Sequence, residues 1–183
     1  MGRVFNGTTP NLNWAVNRLN NQTGIIEGIL GSIQGGGGAV APNAQVEAAV
    51  QWAINKVSNN YITYSQTNRN LNKPNATSYD CSSFIITAFN VAGFNVSATY
   101  TRDMRAGFER IGFVWHEADN GRIPASICQR GDILLNETHH TQMYIGNNKD
   151  VNCGSTPARI KNHTEYYNYG GASGWDGWLR YNG

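Results

Sequence analysis

The apolar residues of this chain change their period once. From Asn43 to about Arg110 they recur at helical spacing. From Ile111 onward they fall in short runs separated by Gly, Asn and Asp. An alternating α/β fold needs a helix between each pair of parallel strands. Helices first and strands afterwards predict an α+β domain instead.

The first helical stretch, NAQVEAAVQWAINKVSN, puts Val46, Ala49, Val50, Ala53, Ile54 and Val57 on one face, with Asn43 as its N-cap. The stretch SYDCSSFIITAFNVAG, Ser78 to Gly93, predicts a second helix from about Ser82 to Ala92. It would bury Phe84, Ile85, Ala88, Phe89 and Ala92 and stop at Gly93. A shorter helix around Thr101 to Arg110 turns Met104 and Phe108 inward. Between the first two, YITYSQTNRNLNKPNATSYD reads as a polar surface loop. The strand-like runs are IGFVWHE, GDILLN, QMYIG, VNCGS and WLRYN.

Residues 1–34 carry a weaker helical pattern: Leu12, Val16, Leu19, Ile25, Ile26, Ile29, Leu30 and Ile33. Gly24, Gly28 and Gly31 each weaken it by about 1 kcal/mol relative to Ala. This segment reads as a helical arm. Residues 35–43, opening with GGGGAVAP, form a flexible linker, and 44–183 the main domain.

Composition excludes several functions. Net charge is +2 and no block of Lys or Arg tracks a phosphate backbone, so nucleic acid is not an expected partner. No apolar run reaches the roughly 18 residues of a membrane span. The N-terminus lacks the basic and apolar regions of a secretory leader, so none is expected. An odd count of 3 cysteines with no leader argues against a disulfide framework, and the absence of a CxxC pair against structural zinc.

Cys81 lies where Asp80 or Ser78 would cap a helix. Unpaired N–H groups and the positive helix end favour a thiolate there, and the same N–H groups could hold an oxyanion. A neighbouring imidazole would complete the activation. The candidate base is in the strand HTQMYIG, where His140, Gln142 and Tyr144 share one face and His139, Thr141, Met143 and Ile145 the other. Asn152 lies 12 residues beyond His140, where a neighbouring antiparallel strand could bring its amide to the imidazole. On these residues alone, Cys81 remains open between a core thiol, a metal ligand and a nucleophile. Shared ligation by Cys81, His139, His140 and Cys153 is disfavoured, because adjacent strand residues point oppositely. Cys128 and Cys153 read as packed thiols, and His116, His139 and His163 as structural. Tyr166, Tyr167, Tyr169, Trp175 and Trp178 suit a substrate-stacking surface and a core equally.

The blocks YDCSSF, GDILL, HTQMYIG and DVNCGS, in that order after ITYS, resemble the NlpC-type cysteine peptidase superfamily and its CHAP relatives. The likeness is strongest to bacteriophage peptidoglycan hydrolases, the lysin amidases of the Pal type, and covers about Gln45 to the C-terminus. It implies a papain-like α+β fold, with N-terminal helices and the cysteine at a helix start packed on an antiparallel sheet. It implies Cys81 as nucleophile, His140 as general base and Asn152 as the third member, a position where relatives often have histidine. Tyr64, Ser82 and Asp80 fall at the substrate and oxyanion side. No cofactor or metal is implied.

The implied function is cleavage of an amide bond in bacterial peptidoglycan. An N-acetylmuramoyl-L-alanine amidase ranks ahead of a stem-peptide or crossbridge endopeptidase. A phage tail or virion protein is the partner implied for the arm, and the virion or the host cytoplasm before lysis the location. The alternatives are a transglutaminase-like thiol acyltransferase and a non-catalytic wall-binding or virion structural module.

Overall fold

The computed structural model describes residues 43–183. The expected arm and all of the linker but Asn43 lie outside the described residues. Helix α1 (Ala44–Asn59) starts where Asn43 Oδ1 accepts from Gln45 N at 2.7 Å and Val46 N at 3.2 Å. It buries Val46, Ala49, Val50 and Ala53 as the spacing requires. Two short strands, β1 (Thr63–Tyr64) and β2 (Ser78–Tyr79), pair in parallel ahead of α2 (Cys81–Val91). Helix α3 (Thr101–Glu109) follows. The strands of the main sheet are β3 (Phe113–Glu117), β4 (Ile133–Asn136), β5 (His140–Gly146), β6 (Lys149–Asn152), β7 (Arg159–Asn162) and β8 (Gly177–Tyr181). None of the described helices is long and apolar enough to cross a membrane.

The sheet is antiparallel throughout, in the order β3-β8-β4-β5-β6-β7. Its last strand in sequence slides between β3 and β4. There a Cβ on Gly177 would stand 2.2 Å from the His116 carbonyl oxygen and 2.4 Å from the Trp115 ring, so the crossing requires glycine. The β5–β6 turn runs through Asn147 and Asn148, both with positive φ (52° and 57°), which suits a tight two-residue hairpin.

Strand alternation sorts the side chains into two layers. Ile133, Leu135, Met143, Ile145, Val151 and Leu179 meet the helices. Phe89, Phe94, Phe108 and Phe113 lock that core through edge-on ring contacts of 4.9–5.6 Å. Leu134, Tyr144 and Trp178 face the other way, beneath Ile123 and Trp175 from the long connections. Helix α2 packs against α1 on one side and β5 and β6 on the other. Its residues Cys81 to Phe89 are therefore all buried, polar ones included, rather than one apolar face alone.

Two expectations need correction. The stretch from Tyr61 to Asp80 is not simply a surface loop: Ile62 and Tyr79 are fully buried, and Thr63 and Tyr64 pair with Ser78 and Tyr79. Single apolar residues in a polar stretch have no period to read. The run around VNCGS begins earlier, at Lys149, and its partner β7 was not foreseen, because RIKN is largely exposed and polar.

Helix α1 is tied to the sheet by a buried ion pair. Arg130 Nε and Nη2 each lie 2.7 Å from a Glu47 carboxylate oxygen, and Nη1 donates to the Ile145 carbonyl. Removing one partner strands a charge in the interior. Arg130→Met is expected to lower unfolding free energy by about 3 kcal/mol in urea titrations. A surface control such as Arg110→Met should stay within about 0.5 kcal/mol of wild type.

Candidate active site

Cys81 is the first residue of α2, and Asp80 is the cap. Asp80 Oδ1 accepts from Ser83 N at 2.7 Å, while Ser83 Oγ accepts from Asp80 N at 2.9 Å. Arg69 clamps this corner. Its Nε lies 2.7 Å from Asp80 Oδ2, and Nη2 donates to Ser82 Oγ at 2.9 Å and to the Thr99 carbonyl. Its guanidinium lies 4.3 Å from the Tyr100 ring centre. Asp80 and Ser82 are thus occupied in holding the helix start, although both line a cavity beside Cys81. A carboxylate would repel an oxyanion, so backbone N–H groups are the better donors there.

The backbone of Thr141, Ser82 and Cys81 itself favours the charged form of the Cys81 thiol. The Thr141 N–H belongs to the peptide joining His140 to Thr141. The helix that Cys81 begins packs against β5, and the start of that strand is near enough to act on the thiol. Burial, and then the Asp80 charge, push the thiol up to about 11 against these donors. The thiolate expected from the helix start is not the resting form, because desolvation outweighs the N–H groups.

His140 is 7% exposed. Its ring stacks on Tyr167 at 5.0 Å and 18°, with Trp175 beyond at 6.2 Å. A Cβ on Gly154 would stand 2.8 Å from its Cε1. Burial, and then the Lys161 charge, push its pKa down to about 3. At neutral pH the thiol and the imidazole are both uncharged. A neutral imidazole is the form that can take a proton.

Asn152 is oriented from behind. Asp150 is fully buried; its Oδ2 accepts from Gln142 Nε2 at 2.7 Å and Thr164 N at 2.8 Å. An ionised carboxylate only accepts, so Gln142 must present its NH2 group to it. Gln142 Oε1 then faces Asn152 and takes a hydrogen bond from Nδ2 at 3.1 Å. The amide end left over is Asn152 Oδ1, an acceptor for an imidazole N–H. Asn152 and His140 line the same cavity, without a direct hydrogen bond between them among the described residues. His163 completes the arrangement. Its Nδ1 lies 3.0 Å from Asp150 Oδ1 and its Nε2 2.7 Å from the Ile123 carbonyl. Both neighbours are acceptors. Burial pulls its pKa down, but the bonds to Asp150 and to the Ile123 carbonyl outweigh it and raise it overall.

Two hollows open at the site, one at Cys81 and the other at His140. One, of about 340 Å³, is lined by Asp80, Cys81, Ser82, Tyr100, Arg102 and Glu137. The other, of about 570 Å³, includes Tyr64, His140, Asn152, Tyr166, Tyr167 and Tyr169. Gln66 and His139 border both, so one groove runs past the pair. Burial, and then the proximity of Cys81, raise the pKa of Tyr64 and of Tyr167, the latter to about 12. Both remain phenols able to donate.

The other candidates have different surroundings. His139 is exposed, with Nδ1 2.6 Å from Thr138 Oγ1. His116 stacks on Trp178 at 4.9 Å. Cys128 and Cys153 are free thiols, and Cys153 Sγ lies 3.3 Å from the Tyr79 carbonyl oxygen. No cluster of metal ligands occurs among the described residues. Arg69, Asp150 and Gly154 were not singled out from sequence. Asp150 had a signal, lying two residues before Asn152 and so on its face. Arg69 and Gly154 sit in irregular segments that carry none.

Because the native pKa of His140 lies below its ordinary 6.5, the unfolded chain takes up this proton first as pH falls. Its contribution to stability is present above pH 6.5 and lost on the way to about 3. His140→Gln removes that loss. Thermal melts should show the Tm gap between the two proteins shifting in the variant's favour across this window.

The P60 domain of an antigen from M. avium subspecies paratuberculosis is 18% identical, covering 73% of this chain and 94% of its own, with a TM-score of 0.49. The peptidoglycan hydrolase RipB of Mycobacterium tuberculosis is 16% identical, covering 92% and 85%, with a TM-score of 0.49. NlpC1 of Trichomonas vaginalis is 18% identical, covering 76% and 45%, with a TM-score of 0.46. No curated protein matches the chain. The model of the endolysin-like domain matches residues 40–151, a stretch that holds Cys81 and His140 and stops just before Asn152. By that match, over more than half its length, the chain belongs to the endolysin-like domain family.

Proposed function

We propose that the protein is a peptidoglycan hydrolase that cleaves an amide bond through Cys81. The observation that carries this reading is Cys81 as the first residue of a capped helix packed on β5, the strand that His140 begins, with a hollow at the cysteine and another at the histidine. Membership of the endolysin-like family and the order of the sequence blocks support the substrate class.

The reaction begins from the neutral pair. Substrate entering the groove displaces water, and Cys81 attacks the amide carbonyl as His140 takes the thiol proton. The new S–C bond makes a tetrahedral oxyanion, held by backbone N–H groups at the start of α2 with Tyr64 close by. The C–N bond then breaks, and His140 returns the proton to the leaving amine. Water, deprotonated by His140, attacks the thioester and frees the thiol. Asn152 Oδ1 accepts from the imidazole as charge develops on it. Cleavage at the lactyl–L-alanine bond ranks ahead of cleavage in the stem peptide or crossbridge, on the Pal-type likeness of the blocks. The same likeness suggests a phage lysin, with residues 1–34 as the attachment to a tail protein. Finding the chain in purified virions, or failing to, tests that setting.

Digestion of purified Gram-positive peptidoglycan, followed by mass spectrometry of the soluble products, tests the reaction. Wild type should release product and Cys81→Ala none. Free glycan with intact stem peptides marks an amidase; cut stems or crossbridges mark an endopeptidase. Release by Cys81→Ala at the wild-type rate would refute the mechanism. Transfer to an added amine would favour the acyltransferase alternative, and binding without release the wall-binding module. Gly154→Ala pushes against the imidazole and should lower kcat by about 10- to 100-fold in a folded protein. Gln142→Met frees the Asn152 amide to rotate and should lower kcat by about tenfold, with KM less affected.

A further inference from the structure

The larger hollow has an electrical character that the reaction does not use. Arg159 and Lys161 lie two residues apart on β7, so they share a face. Their registry partners across the sheet are Asn152 and Asp150. Both cations line the hollow together with His140 and Asn152.

Neither has a salt-bridge partner among the described residues. Arg69, Arg105, Arg122, Arg130 and Arg180 all pair with carboxylates. Asp150 is the acid nearest in register to Lys161, but its oxygens are taken by Gln142, Thr164 and His163. Lys161 is half-buried, and desolvation lowers its pKa despite Asp150. Its charge also contributes to the depression at His140. The groove wall therefore holds two cationic side chains without a salt-bridge partner among the described residues, one of them at a desolvation cost, beside His140.

We propose that Arg159 and Lys161 form a carboxylate-binding subsite, which selects substrates bearing a free carboxylate on the peptide beside the cleaved amide. The subsite rests on the hydrolase reading and specifies its substrate. Arg159 supplies a planar fork of N–H donors and Lys161 a point charge. Thr164 and Tyr166 border the same hollow. A carboxamide has the shape of a carboxylate without the charge, so the subsite would discriminate walls by amidation of their stem-peptide acids. An anion seated there would also offset the Lys161 charge felt by His140, making proton transfer from Cys81 easier in the complex than in the free enzyme.

The test uses soluble peptidoglycan fragments in two forms: untreated, and with carboxylates converted to carboxamides by carbodiimide and ammonia. Turnover is followed with wild type and binding by calorimetry with Cys81→Ala. Wild type should show a kcat/KM at least about tenfold higher for the untreated fragments, the scale of one charge-assisted hydrogen bond. The double substitution Arg159→Gln, Lys161→Gln should bring that ratio toward one, while Lys161→Arg keeps a clear preference. Equal turnover and equal Kd for both forms would overturn the subsite, as would a double variant that keeps the wild-type ratio. Carboxylate-dependent binding by Cys81→Ala with no turnover of either form by wild type would sustain the subsite and refute the hydrolase reading.

Discussion

Asp80 satisfies several demands at one point in the fold. Its carboxylate accepts from the Ser83 amide, its amide donates to the Ser83 hydroxyl, and Arg69 holds it from the loop side. Those bonds fix the first turn of α2, and with it the direction in which the Cys81 sulfur leaves the helix. Because α2 is wedged between α1 and the sheet, Cys81 is held at the head of β5. The clamp from Arg69 reaches Ser82 and Thr99 as well, so the loops bordering the smaller hollow are tied to the same charge. A helix cap alone contributes about 1 kcal/mol. Here its larger consequence is positional.

Burial sets the chemistry of the resting site. The same exclusion of water raises the Cys81 thiol and lowers the His140 imidazole, so the pair waits uncharged. An ion pair formed in advance would need solvation that this pocket does not give. Behind the pair, Asp150 is held by His163, and Gln142 and Asn152 relay the polarity of the carboxylate outward through two amides. Such a chain has no freedom to flip, since every alternative opposes a donor to a donor or an acceptor to an acceptor. The cations Arg159 and Lys161 lie on the groove side of this network. The arrangement separates structural charge, paired and buried, from charge left available to a ligand.

Much of the domain was legible in the sequence. The α1 face, the start of α2 at its cap and the alternation of β5 were read from period and capping residues, which act over a few positions. The placement of Cys81 in a first turn and of His140 and Gln142 on one face follows from the same local rules. The burial of Ile62 and Tyr79 and the pairing of β1 with β2 were not legible, nor was β7. Those depend on partners far along the chain and leave no periodic mark. The expected thiolate was misjudged for a related reason: a helix start is visible locally, but the water-excluding layer over it comes from β5, Tyr64 and Tyr167.

The sequence by itself determined the α+β class, the helix cap at Asp80 and the residue types at the nucleophile and base positions. These are set by local backbone preference and side-chain chemistry. Only the tertiary structure decided which surfaces met. It inserted β8 between β3 and β4, packed the helix that Cys81 begins against β5, and placed the Asp150 network behind Asn152. It also left Arg159 and Lys161 facing the groove. Contacts between residues tens of positions apart arise from burying two layers of core at once, and no short window of sequence holds both sides of them.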